Sequence, residues 1–463
     1  MLKILEYLKN KHFSGPGNIS DVLKIALPAI ISQMTATIMM FTDRLFMSKF
    51  GGEYLAAIFI GGFTLYAFFW IFWIYTCGYT NAIVAQHFGA KKYDKCSIAL
   101  TQSFIVACIA GVIVILVAPP LAKLIFNISN HAPRQIALEL EYLKTLSYGT
   151  LIYLLQVSIT SFFIGIGKPN ISMRANIIGM LINIPLNYVL VFGKLGFPEL
   201  KIKGVAIATI ISTFIVLLIM LSKYLSSKNV EKYKISKSFV FDKHMFFKLL
   251  KYGLPGGFEM FINMASLNIF MIFFMSYGIL TATASSIMHS WNLLAFVPIL
   301  GLNQGIISLV GQSIGSNHIE KVSKIVNSGV KIALFYISII ATAYLLIPKL
   351  LISVFLSSNI GSDYSQLLHL CKGFMRLSIF FIIAEALYMI HDGALRGAGD
   401  TPWVMRVTTS LTVAFVLLGI SFIKMEMHCF SAWSVFIFWT FSMFLALFFR
   451  FKIGKWKEIK LLS

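Results

Sequence analysis

The stretch that decides the fold is Ser97–Ile125, SIALTQSFIVACIAGVIVILVAPPLAKLI, in which Lys123 is the one charged residue. A helical bilayer crossing needs ~20 apolar residues, and this run supplies them without a break. It shows none of the ~10-residue alternation of a membrane barrel, so it predicts a transmembrane helix. Working outward, similar runs precede it at Leu23–Phe46 and Leu55–Val84. Others follow at Ala137–Gly165, Ile171–Phe192, Gly204–Leu225, Phe247–Gly278, Thr281–Leu309, Val322–Ile347, Gln366–Gly393, Val404–Phe422 and Ser431–Phe449. The expected fold is an all-α polytopic membrane protein with twelve spans.

Composition agrees. Only 12% of the 463 residues are charged and 58% are hydrophobic, against ~25% charged in soluble domains. About twelve crossings of ~30 residues take ~360 positions and leave ~100 for loops, with no room for a large soluble domain. Disordered, collagenous and ordinary soluble enzyme classes are excluded. The net charge of +21 invites a nucleic-acid reading, but that needs bases gathered on one solvated face. Here they sit in short loops.

Excess Lys and Arg in loops set orientation. With the N-terminus inside, the inner set takes Lys91, Lys92 and Lys95, a run from Lys228 to Lys251, Lys321, Lys324, Arg396, Arg406 and the tail from Arg450 to Lys460. The outer loops keep fewer, so both termini are expected in the cytoplasm. Leu2, Ile4, Leu5 and Leu8 against Lys3, Lys9 and Lys11 predict a short amphipathic helix on that membrane face. The five cysteines show no CxxC or metal spacing and read as core thiols.

The chain repeats itself. KIALPAI around Pro28 is answered by KYGLPGG around Pro255, 227 residues on. AQHFGAKK at Gln86 is answered by GQSIGSNH at Gln312, and GIGKP at Gly165 by GAGDTP at Gly397. Three anchors in one order predict two six-helix lobes running in the same direction, an N-lobe over 1–225 and a C-lobe over 247–463. Residues 226–246 between them read as a solvated cytoplasmic linker. Pro28 is expected to kink the first span.

A carboxylate in hydrocarbon costs at least ~2.5 kcal/mol, so one kept there is normally paired or serves an ion path. Four acids fall within apolar runs: Asp43, Glu259, Glu385 and, nearer a cytoplasmic end, Asp392. Asp43 is expected to face a cavity of the first half, protonated when dry and ionised when wet. Glu259 and Glu385, with Asn263 one turn from Glu259, offer the oxygen ligands of a small cation such as Na⁺. Asn183 and Asn187 stand i to i+4 on one helix face. Trp70 and Trp291 are candidates for an apolar substrate cavity. His391-Asp392 lacks the surroundings of a catalytic dyad, and no enzyme, resident metal or cofactor is expected.

These motifs resemble one family, the multidrug and toxic compound extrusion transporters. FTDRLFMSKFGGEYLAA (41–57) is similar to its first-span pattern, and AQHFGAKKYDK (85–95) and VGQSIGSNHIEK (310–321) to its paired second- and eighth-span endings. NIPLNYVLVFGKLGFPELKIKGVAIAT (183–209) and LRGAGDTP (395–402) resemble its later segments. The resemblance covers essentially the whole chain. It implies twelve helices in two lobes around a central cavity, and export of drugs or metabolites coupled to inward Na⁺ or H⁺. It matches Asp43 to the N-lobe carboxylate, Asn183 and Asn187 to its partners, and Glu385 to the C-lobe carboxylate. Two departures bear on the coupling ion. Asn187 stands where some relatives carry an acid, and Asn263 stands where sodium-coupled relatives do, one turn from Glu259. The expected protein is a monomeric antiporter of the inner membrane, taking amphipathic, often cationic compounds and no nucleic acid. Lipid-linked oligosaccharide flippases share the superfamily shape and are the alternative, disfavoured by the scarcity of intramembrane cations such as Arg44 and Arg376.

Overall fold

Among the described residues twelve helices are each long and apolar enough to cross a bilayer: α1 (Ile19–Ser48), α2 (Thr64–Gly89), α3 (Tyr93–Ile128), α4 (Pro133–Gly165), α5 (Pro169–Phe192), α6 (Lys201–Tyr224), α7 (Lys243–Tyr277), α8 (Ile279–Gly315), α9 (Glu320–Leu346), α10 (Tyr364–Ala398), α11 (Thr401–Lys424) and α12 (Cys429–Ile453). They are seen in a computed structural model that describes residues 17–58, 64–128, 131–355 and 364–459. The N-terminal amphipathic segment lies outside the described residues. Local signals fix the ends. Pro133 and Pro169 open α4 and α5, where a missing N–H costs nothing. Gly193 and Gly454 close α5 and α12 in the left-handed conformation. Exposed Leu27, Phe41, Leu116, Phe335 and Phe438 make sense only against lipid. Helix α1 runs unbroken through Pro28.

The packing follows the repeat. In the first half α1 lies on α5, α3 on α4 and α5 on α6; in the second, α7 lies on α11, α9 on α10 and α11 on α12. Between the halves α1 packs on α8, and its counterpart α7 packs on α2, as a pseudo-twofold requires.

Odd-numbered helices start, and even-numbered ones finish, at one end of the molecule, and there the halves meet. Gln86 Nε2 donates to the Gly397 carbonyl at 2.8 Å, and its repeat counterpart Gln312 Nε2 donates to the Gly165 carbonyl at 2.8 Å. Ser308 Oγ donates to Ile164 O at 2.7 Å, and Asn81 Nδ2 to Gln304 O at 3.0 Å. Glycines allow this approach: a Cβ on Gly253 would stand 2.9 Å from the Thr76 carbonyl, and Cβ atoms on Gly89 and Gly315 would clash with the backbones of Gln312 and Gln86.

Residues 226–246 are less solvated than their lysines suggest. A short helix, Ser227–Tyr233, leads into a turn that buries Tyr233 and Ile235. Tyr233 packs on Tyr93 and Phe162, and Ser97 Oγ donates to its carbonyl at 2.7 Å, strapping the segment onto α3 and α4. Asp242 then caps α7 by accepting the Met245 N–H at 2.9 Å.

Candidate functional site

Helix α1 buries Val22, Ile25, Ala29, Ser32 and Thr35 at steps of three and four, then Asp43 two further steps of four along the same face, and Met47, which places Asp43 on the inward face. Helix α5 does the same with Ala175, Gly179, Asn183 and Asn187. Where the rows meet, Asn187 Nδ2 donates to Asp43 Oδ1 at 2.6 Å and to Asn183 Oδ1 at 3.1 Å. Asn183 Nδ2 donates in turn to Ser212 Oγ of α6 at 3.2 Å. The structure therefore brings Asp43, Asn183 and Asn187 together. The Asn187 side-chain oxygen is buried and has no hydrogen-bond partner among the described residues, an unused acceptor beside a carboxylate.

Asp43 opens on a cavity of about 200 Å³ inside the first half, lined also by Met39, Trp70, Tyr153, Gln156 and Thr209. Trp70 packs against Tyr66 and Tyr153 at ring distances of 5.8 and 5.5 Å. Gln156 donates to Asn176 at 2.9 Å, and Asn176 to Ser32 Oγ at 2.6 Å. Thr209, Tyr153, Gln156 and Asn176 were not singled out in the sequence; only their positions on the inward faces of α4, α5 and α6 distinguish them.

The second half has a different centre. Glu259 of α7 accepts Arg396 Nη2 on Oε2 at 2.7 Å and the Tyr388 hydroxyl on Oε1 at 3.2 Å. Arg396 Nε also donates to Asp392 Oδ1 at 2.6 Å, and Asn303 Nδ2 donates to Asp392 Oδ2 at 3.1 Å. Arg396, read from the sequence as an inner-loop charge, is thus buried in the last turn of α10. Its i to i+4 spacing from Asp392 was the signal available. Glu385 is half-buried on α10, within electrostatic reach of Tyr75 of α2 and of Asp392, and no hydrogen bond or ion pair among the described residues engages it. Asn263 accepts the Thr412 hydroxyl at 2.6 Å, which turns it toward α11. Trp291 is not on the first-half cavity with Trp70: its indole donates to the Leu351 carbonyl at 3.2 Å and its ring meets Phe355.

Known proteins place this architecture. The MatE family model matches residues 28–189 and again 255–422, so its two copies open on the two repeat prolines. The chain is 25% identical over 400 residues to the multidrug resistance protein MdtK of Pectobacterium atrosepticum, covering 86% of this chain and 85% of that one. It is equally similar, 25% over 409 residues with the same coverage, to the probable multidrug resistance protein NorM of Thermotoga maritima. Two solved structures share the fold: a MOP superfamily transporter from Pyrococcus furiosus, with a TM-score of 0.84 at 20% identity, and an outward-facing multidrug resistance MATE family transporter, with 0.84 at 19%. Each match covers 96% of this chain and 98% of the other. With more than half of its length matched in two copies, and a twelve-helix fold to go with it, the chain belongs to the MATE family, the multidrug and toxic compound extrusion transporters.

Proposed function

We propose that this chain exports amphipathic, often cationic compounds across the inner membrane in exchange for Na⁺ or H⁺, by alternating access, with both termini in the cytoplasm. It works as a monomer of two lobes joined by residues 226–246. The observation that carries this reading is the Asp43 centre: a buried carboxyl, hydrogen-bonded by Asn187 and open to an aromatic cavity. A carboxylate, an amide oxygen and hydroxyls are hard-oxygen ligands suited to a small cation, and the carboxyl alone suits a proton. Trp70, Tyr66 and Tyr153 supply ring faces for the apolar body and positive charge of a compound. At about 200 Å³ the cavity is smaller than the ~300–1,000 Å³ of drug sites, so it takes one portion of a ligand in this conformation.

Coupling then needs only differential affinity. A cation bound at Asp43 favours the conformation that holds the compound weakly, and the carboxyl of Glu385 does the same for the second lobe. The contacts of Gln86 and Gln312 close one end and must break for access from that side. Ethidium efflux from cells tests the assignment: Asp43→Asn and Glu385→Gln should each reduce it, and undiminished efflux by both variants would overturn it.

A further inference from the structure

The intramembrane carboxyls are not equivalent. Glu259, Asp392 and Arg396 form one buried array, exposed by only 2%, 4% and 8%, in which each of the four carboxylate oxygens already has a donor: Tyr388 and Arg396 on Glu259, Arg396 and Asn303 on Asp392. We propose that Arg396 is a tethered cation of the second lobe: it occupies Glu259 and Asp392 in place of an exchangeable ion, and so confines cation exchange to the carboxyls it does not reach, Asp43 and Glu385. This rests on the coupling reading above and narrows it.

Four observations support the assignment. The Arg396 contacts at 2.6 and 2.7 Å are charge-assisted, with one guanidinium edge serving two acids. A guanidinium does not deprotonate in a protein, so no physiological pH removes it. It is attached to the chain, and a free ion must compete with a partner of high effective concentration. Its seat is also built. A Cβ on Gly256 would fall 2.6 Å from Arg396 Nη1. The backbone of its turn is held by the other half, through the Tyr79 hydroxyl on Arg396 O at 3.3 Å and Gln86 on Gly397 O at 2.8 Å.

The other titratable groups nearby do not replace it. Tyr75 of α2 and Tyr388 of α10 lie within reach of the array, and neither is cationic. His391 is turned toward Phe444, Phe448 and Phe451 of α12. Asp43, by contrast, has amide and hydroxyl neighbours, and the charge that acts on it is that of Arg44, adjacent in sequence.

The test is labelling of the purified full-length protein with dicyclohexylcarbodiimide, read residue by residue by mass spectrometry of its peptides. The reagent takes its proton from a neutral carboxyl, whose oxygen then bonds to the carbodiimide carbon; an oxygen-to-nitrogen acyl shift leaves a stable N-acylurea. An acid locked to a guanidinium supplies no proton. In the native chain Glu259 and Asp392 should stay at background at acidic and alkaline pH, with or without sodium chloride. Asp43 and Glu385 should label, and lose label as sodium or pH is raised. Arg396→Gln should expose Glu259 to the reagent, Gly256→Ala should do so in part by crowding the guanidinium, and Arg396→Lys should keep Glu259 silent. Cation-protected labelling of Glu259 in the native chain, matching that of Asp43, would overturn the proposal without any variant having to fold. Asp43 labelling that is indifferent to cations, with Glu259 still silent, would remove the coupling reading and leave Arg396 as the fixed partner of the second lobe.

Discussion

Replacing Gly311 with alanine should drive the two halves apart at the end where they meet. Gly311 lies late in α8 against α2, and a Cβ built on it falls 2.8 Å from the Ala85 Cβ and 3.4 Å from the Ala82 carbonyl oxygen. Carbon atoms rest at ~3.5–4.0 Å, so the two methyl groups overlap by about 1 Å. Both are fixed to helix backbones, and relief requires a helix to retreat. Overpacking of this kind costs ~1–3 kcal/mol. Under the alternating-access proposal this contact belongs to the conformation closed at this end, so the penalty falls on that conformation alone, a shift of ~5–150-fold in the equilibrium toward states parted there. Spin labels at exposed Lys92 and His318, in a background with exposed Cys108 replaced by serine, read the separation by pulsed electron resonance. A larger long-distance population is expected in Gly311→Ala. An unchanged distance distribution with an unchanged melting temperature would refute the reasoning.

Other outcomes follow from the same contacts. Gln312→Ala leaves the Gly165 carbonyl without its donor, and should cost ~1–3 kcal/mol, seen as a lower melting temperature and the same drift toward the parted state. Trp70→Ala removes the ring between Tyr66 and Tyr153 and should weaken ethidium binding about tenfold, the effect of ~1.4 kcal/mol, in a fluorescence titration. Asp242 carries a pH dependence. Met245's backbone N–H, with Lys95 adding to it, holds this carboxyl below the usual range. Its contribution is therefore complete above the ordinary value of ~3.9 and fades as pH falls through the lower folded value. Asp242→Ala should cost ~0.5–2 kcal/mol at neutral pH as a lost cap, and the gap between variant and native melting temperatures should close in acid.

The helices were legible because the bilayer makes one demand on sequence, a long apolar run. Ser97–Ile125 became Tyr93–Ile128, and Ala137–Gly165 became Pro133–Gly165. The second run, Leu55–Val84, overlaps the helical residues 52–58 and most of the described part of α2, Thr64–Gly89, with residues 59–63 outside the described residues. The repeat was legible because its prolines, glycines and glutamines recur where the halves must touch. Asp43 stood out as an acid in hydrocarbon, and the i to i+4 amides pointed the way its partners lie. What was not legible was pairing at long range. Arg396 looked like a loop charge because hydropathy ends a span at a charge, whereas here Glu259, 137 residues away, offsets the cost of burying it. Tyr233 and Ile235 looked solvated for a similar reason: neighbouring lysines mask two side chains whose surroundings, Phe162 and Tyr93, come from other helices. Trp291 and Trp70 have the same residue type and different environments, and residue type alone does not assign a cavity.

The central claim is that cation exchange at Asp43 drives export. Proteoliposomes containing the full chain, with ethidium outside and an imposed gradient of either sodium or protons, test it directly. One of the two gradients should drive ethidium movement against the cation flow, and Asp43→Asn should abolish that movement while retaining the fold. Ethidium movement that ignores both gradients, or that Asp43→Asn leaves unchanged under the effective gradient, would contradict it.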